Sequence, residues 1–293
     1  MKFEDIVQKV DNAKDLDQLF ELWQQAHALE KEWRNTTIVK EEWGKRDKLR
    51  KYFTGDGIID EKAYLNSPCK VLVVLKEANV SDNKEDKFFE NAGDHRDWYN
   101  EFVNGKYEPD TGKVMIGNDN ADNHSKQKEL IGRMAYMVHK YVKNRNEDGF
   151  NPQVSEIQNS LKSTAVMNLN KRGGDNAVYN KKVFRNYCDV YAPFIRREIE
   201  IINPDIIIWC VPEISDPRGK YRIDSNRIII RMIHTAGAIY IRNNNKDIPF
   251  SLERLNNYCE ELYKMDHKIY FPWKKPTVKY MLIFEERLKK VSL

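Results

Sequence analysis

Three polar side chains stand where short apolar runs give out. Glu77 follows Lys70 to Leu75 (KVLVVL), Asn168 lies in Thr164 to Leu169 (TAVMNL), and His234 follows Arg227 to Ile233 (RIIIRMI). In an open parallel sheet, ligands bind outside the carboxyl ends of the strands, so the residues that end such runs are the ones to weigh. A carboxylate, an amide and an imidazole on one edge have what proton transfer and hydrogen-bonded recognition require. Their surroundings are polar too: Lys76-Glu77-Ala78-Asn79-Val80, then Asn170-Lys171-Arg172-Gly173-Gly174, then His234-Thr235-Ala236-Gly237. Each of the three also has a plainer reading. Glu77 can cap a helix, Asn168 can form a turn, and His234 can be a structural hydrogen bonder. Asp94-His95 is an alternative acid–base pair. Lys76 to Asn79 contains no glycine, so a Gly-rich phosphate loop is excluded there.

Four short, β-branched runs must carry these residues: 70–75, 164–169, 205–211 (DIIIWCV) and 227–233. Between them lie helical patterns, Ser125 to Asn144 with Leu130, Met134, Met137, Val138 and Tyr141 on one face, and Asn180 to Ile202, which Pro193 is expected to kink. Ser251 to Met265 and Thr277 to Lys290 predict two more. Strands alternating with helices give an α/β fold of three layers, with a four-stranded parallel sheet at its centre. Residues 1–66 read as an N-terminal helical extension, with Ile6, Val10, Leu16, Leu19, Phe20 and Trp23 at helical spacing; residues 67–293 read as the α/β domain. A polar stretch at about 81–125, with Phe88, Phe89, Trp98 and Tyr99, is too long for a plain connection. It is expected to face substrate or to lack fixed structure.

The hydrophobic fraction of 41% and charged fraction of 32% fit a globular protein, and no apolar run approaches the ~20 residues that cross a bilayer. The first fifteen residues mix acids and bases, so no secretory signal is read there, and a cytoplasmic monomer is expected. Cys69, Cys188, Cys210 and Cys259 form no Cys-x-x-Cys pair; reduced structural thiols and no metal are the expectation. The net charge of +4 is too small for a purely electrostatic DNA coat, although bases cluster from Lys45 to Lys51 and at Lys274-Lys275. His27, His124, His139 and His267 lie in helical or polar contexts that need no function.

The order of these motifs resembles the uracil-DNA glycosylase superfamily. That family has a Gly-Glu-Ala-Pro-Gly or Gly-Gln-Asp-Pro-Tyr motif after its first strand, Asn-x-x-Lys after the second, Pro-Asp opening the third, and His-Pro-Ser after the fourth. This chain has KEANV, Asn168 to Lys171 (NLNK), Pro204-Asp205 and HTAG in that order, over about residues 68 to 265. It departs from the family at Lys76 (Gly), Asn79 (Pro) and Thr235-Ala236 (Pro-Ser). Ala78 falls where some branches carry a water-activating Asp or Asn, and it cannot polarise water. The Glu-Ala branch holds an iron–sulfur cluster whose cysteine pattern is missing here, so no cofactor is expected. The resemblance also supplies the strand order 2-1-3-4.

What the resemblance implies is a monofunctional DNA glycosylase, acting on double- or single-stranded DNA and leaving an abasic site. Cleaving an N-glycosidic bond builds positive charge on the sugar and negative charge on the departing base. Glu77 would orient water and stabilise the sugar, and His234 would donate toward the base. Asn168, with Ala78, Asn79 and Val80, would contact the flipped base. One amide orientation matches uracil and the other matches cytosine. Val80, smaller than the Tyr that excludes C5 substituents, suggests a modified pyrimidine, including a hypermodified cytosine of phage DNA. Phe88 or Trp98 would stack on the base, Ile239 would wedge into the duplex, and Lys171, Arg172, Thr235, Gly237 and Arg242 would hold phosphates. The alternative is a non-catalytic nucleic-acid binder of the same fold.

Overall fold

The computed structural model describes residues 2–29, 53–79, 95–108, 113–116, 120–121, 125–143, 152–174, 181–232 and 275–291. Two amphipathic helices open the chain, α1 (Phe3–Val10) and α2 (Leu16–Ala28). Asp15 starts the second by accepting from the Gln18 N–H at 2.8 Å. A two-residue strand β1 (Gly57–Ile58) follows. Gly57 has φ +122°, and a Cβ there would lie 2.5 Å from Leu16 Cδ1, so only glycine fits. Asp60 then caps α3 (Glu61–Leu65).

Strand β2 (Val71–Asn79) leads into the polar stretch, which contains α4 (His95–Asn104) and the strands β3 (Lys106–Glu108), β4 (Lys113–Ile116) and β5 (Asn120–Ala121). Helices α5 (Ser125–Lys143) and α6 (Val154–Lys162) return the chain to β6 (Thr164–Gly174). Next come α7 (Lys181–Val190), α8 (Ala192–Ile202), β7 (Ile206–Trp209), α9 (Pro217–Tyr221), β8 (Ile228–Arg231) and α10 (Lys275–Lys289). Among the described residues no helix is long and apolar enough to cross a membrane.

The fold is α/β, and the sheet corrects the four-stranded parallel expectation. It is five-stranded and mixed, in the order β1-β6-β2-β7-β8, because β1 pairs antiparallel with β6 through Gly57–Val166 and Ile58–Ala165. The other four strands are parallel and stand in the expected order 2-1-3-4. Two residues with no apolar run give no strand pattern, and β1 exists only because an edge was there to pair with. Strands β2 and β6 also run beyond their apolar runs. Lys76 to Asn79 and Asn170 to Gly174 are strand, with Glu77 paired to Asn170 and Asn79 to Gly174.

Side chains alternate between two buried layers, as the period of a strand requires. Leu72, Val74, Met167, Leu169, Ile207 and Trp209 face one side, with α1, α2, α7 and α8. Val71, Val73, Leu75, Val166, Ile206 and Ile208 face the other, with α4, α5, α6 and α10. The N-terminal helices therefore belong to the same core as the sheet. Trp23 of α2 lies fully buried, with its ring 5.3 Å from that of Phe194 and 6.1 Å from that of Tyr191.

Two further expectations change. The helix predicted over 180–202 is two helices joined at Tyr191, because Pro193 falls in the first turn of α8, where its missing N–H has no partner to lose. The polar stretch holds a helix and a second, three-stranded antiparallel sheet in the order β3-β4-β5. The helix predicted over 251–265 lies outside the described residues.

Helices α5 and α6 touch at Gly132. A Cβ there would lie 2.7 Å from the Ile157 carbonyl oxygen and 2.7 Å from its Cγ2. Gly132→Ala would ordinarily gain roughly 1 kcal/mol of helix propensity, but here it must push two backbones apart. We expect a net loss of about 1–3 kcal/mol in urea unfolding, and an unchanged or raised midpoint would refute this close approach.

Candidate functional site

The ends of β2 and β6 lie side by side. Asn168 is in register with Leu75, and Glu77 is in register with Asn170. Beyond that point, β2 advances two residues, Glu77 to Asn79, while β6 advances four, Asn170 to Gly174. The surplus bulges out of the ladder, a device that re-aims side chains. Its local cause is visible in the hydrogen bonds. The Asn170 side-chain oxygen accepts from the Arg172 N–H at 3.0 Å, the Lys171 N–H donates to the Tyr187 hydroxyl at 3.2 Å, and the Lys171 carbonyl accepts from the Thr54 N–H at 2.8 Å. The backbone of Lys171 thus turns from β2 toward α7 and the segment before β1.

Its side chain follows. The Lys171 ammonium is completely buried, 2.5 Å from Asp56 Oδ1 and 2.7 Å from Glu198 Oε1, and it lies over the rings of Phe20 and Trp23. Burial alone would push its pKa down, but the charges and hydrogen bonds of Asp56 and Glu198 outweigh that and raise it. Burial pushes the Glu198 carboxyl well above its usual range, against the pull of Lys171. Arg172 is also buried and donates to the His27 carbonyl at 2.9 Å. These contacts correct the expectation that Lys171 and Arg172 hold phosphates. Both guanidinium and ammonium are spent inside the protein, sealed by α2.

Asp56 reaches across the sheet edge to a third group. Its second oxygen, Oδ2, accepts from the Asn168 backbone N–H at 2.6 Å and from the Asn168 Nδ2 at 3.0 Å. Beyond it, α4 contributes Tyr99, whose phenol is raised well above its ordinary value by burial first and by the Asp56 charge second. Tyr99 meets Trp98 edge-on at 4.9 Å, and Trp98 carries the Lys128 ammonium 4.3 Å from its ring centroid. A stacking role for Trp98 is therefore confined to the opposite ring face. Lys128 is buried and pairs with Glu101 at 3.7 Å, while Arg133 pairs with Glu129 at 2.6 Å one turn along α5. Lys76 points to the other layer, 3.5 Å from Glu213 and over the Phe184 ring.

Sequence reasoning named Asn168 but missed Asp56, Lys128, Glu129 and Arg133. Asp56 lies in Thr54-Gly55-Asp56-Gly57, which reads only as a break between helices. For Glu129 and Arg133, four apart on a helix, nothing in the sequence marks the burial that follows from α5 being covered on nearly all sides. Glu77 and Asn79 are placed by their backbone register with Asn170 and Gly174, with Ala78 between them. Val80, Phe88, Phe89, Asp94, His234, Thr235, Gly237, Ile239, Arg242, His124, His267 and the bases at 45–51 lie outside the described residues. His27 and His139 are buried hydrogen bonders: His27 Nε2 pairs with the Tyr187 hydroxyl at 2.8 Å, and His139 Nε2 with Ser67 and the Cys69 carbonyl. Comparison of the chain with family models, with curated proteins and with solved structures yields no match.

Two outcomes follow from this geometry. Lys171→Met strands Asp56 in the core and should cost roughly 3–5 kcal/mol, whereas Asp56→Asn with Lys171→Met should recover most of that. Urea unfolding of the single and double variants separates the two, and a single variant as stable as wild type would show the pair is not buried. Burial also lowers the imidazole pKa of His27 well below 6.5 and that of His139 to about 4. A folded-state pKa below the unfolded one gives stability that is full above pH 6.5 and lost as pH falls through that window. His139→Gln should flatten the loss between pH 6.5 and 4.5 by ~1.4 kcal/mol per pH unit in denaturant titrations. Parallel curves for variant and wild type would contradict the assignment.

Proposed function

We propose that this chain is a monofunctional DNA N-glycosylase of the uracil-DNA-glycosylase type, hydrolysing the bond between deoxyribose and a flipped uracil or modified pyrimidine. The observation that carries this reading is the adjacency of the polar ends of β2 and β6, with Asn168 opposite Leu75 and Glu77 opposite Asn170, in a sheet whose parallel strands run 2-1-3-4. Ligands of open α/β sheets bind at that edge. A carboxylate on the first strand and an amide on the second would stand together there, one near the sugar and one near the base.

Within this reading Glu77 orients the attacking water and stabilises the cationic sugar, and His234 donates to the departing base as charge gathers on it. Asn168 reads the base edge. Lys171 supports hydrolysis over amine chemistry. A lyase step needs a neutral amine that can reach the sugar, whereas this one is enclosed and held as an ammonium by Asp56 and Glu198. With Lys171 and Arg172 inside, phosphate contacts fall to Thr235, Gly237 and Arg242, and the duplex wedge to Ile239.

Oligonucleotides carrying uracil or a modified cytosine, single- and double-stranded, test the proposal. Incubation followed by alkali should cut the strand at the modified base alone. Glu77→Gln and Asn168→Asp should each lower kcat/KM by about a hundredfold, the size of one preorganised interaction of ~3 kcal/mol. Salt-dependent binding without any cleavage would leave a non-catalytic nucleic-acid binder instead, and neither binding nor cleavage would end the nucleic-acid reading.

A further inference from the structure

We infer that Asp56 decides which pyrimidine the site reads, by locking the Asn168 amide in a single orientation. The inference rests on the reading above that Asn168 meets the base; Asp56 itself touches no substrate and acts as a positioning residue.

The geometry is that of one carboxylate used three ways. Oδ1 takes the Lys171 ammonium, and Oδ2 takes both the backbone N–H and the side-chain Nδ2 of Asn168. A carboxylate paired with an ammonium can only accept, so the amide atom 3.0 Å from it must be the NH2 group. Turning the amide over would set its carbonyl against Oδ2, two acceptors face to face at a residue only 1% exposed. Nor can Asp56 swing aside to relieve that contact. The Asn168 backbone N–H at 2.6 Å and Lys171 at 2.5 Å hold it from two directions, and both partners belong to β6 itself.

An amide free to turn over serves two kinds of base. Uracil-type rings present a donor at N3 and an acceptor at position 4, whereas cytosine-type rings present an acceptor at N3 and a donor at position 4. Each pattern needs the opposite order of amide oxygen and nitrogen. With the order locked, one pattern is matched, and the other puts acceptor on acceptor or donor on donor. Sites built to hydrogen-bond one group reject the wrong one by factors of about 10⁴ or more, because the mismatched groups are buried without partners. The substrate class follows: pyrimidines of one hydrogen-bonding pattern, with substituents at C5 left to other residues.

The test compares kcat/KM on matched oligonucleotides carrying uracil-pattern and cytosine-pattern bases with the same C5 substituent. Wild type should favour one pattern by about a hundredfold or more. Asp56→Ala removes the acceptor that the backbone N–H and the Nδ2 of Asn168 share, lets the Asn168 amide turn over, and should cut that preference at least about tenfold. The double variant Asp56→Ala with Lys171→Met also removes the lysine, otherwise left with Glu198 alone, and should show the same relaxed ratio in a more stable protein. A wild-type ratio near one overturns the inference without any variant, as does an undiminished ratio in either folded variant. Wild type that cleaves neither pattern fails on the glycosylase reading instead, and this inference falls with it.

Discussion

A carboxylate, an ammonium and a second carboxyl buried together set the terms for this protein. Charges removed from water must be matched at short range, and Lys171 is matched by Asp56 and Glu198 from two different parts of the chain. Glu198 comes from α8 and Asp56 from the segment before β1, while the apolar cover comes from Phe20 and Trp23 of α2. The demand of one lysine therefore ties the first helices, the edge strand and the last turn of the central ladder into one layer. Helix α2 cannot be a detachable extension in this arrangement, because its removal would admit water to the ion pair.

The parts of the fold that were legible in the sequence are those with local period. The apolar runs at 70–75, 164–169, 205–211 and 227–233 all contain strand, and α5 and α10 lie within a residue or two of their predicted bounds. Pairings between distant segments left no such mark. Strand β1 has two residues and no pattern, and the continuation of β6 to Gly174 passes through Asn, Lys, Arg and two glycines, a composition that reads as turn. Tyr187 and Thr54 make it strand-like by accepting and donating where a neighbouring strand otherwise would.

The candidate site was legible by type more than by role. Asn168 was singled out as a strand-end amide; its partner on β2 is Leu75, and Glu77, which it was expected to accompany, stands two residues further along, opposite Asn170. Lys171 and Arg172 follow it as bases in a polar run, and bases in such runs usually face solvent. Alternation along β6 decides otherwise: Leu169 and Lys171 share a face, so the lysine enters the same layer as the leucine. Asp56 carried no signal at all, since its meaning comes from three hydrogen bonds to two residues more than a hundred positions away, Asn168 and Lys171.

That division of Asp56 between Lys171 and Asn168 bears on how such a protein can change over generations. One side chain serves the cohesion of the core through one oxygen and the orientation of an amide through the other, so a substitution there is judged on two grounds at once. Drift toward a new ligand by altering position 56 alone first leaves Lys171 with Glu198 as its one remaining described counter-charge. Viable lineages would have to lose or neutralise Lys171 beforehand, and the two positions should be inherited as a couple.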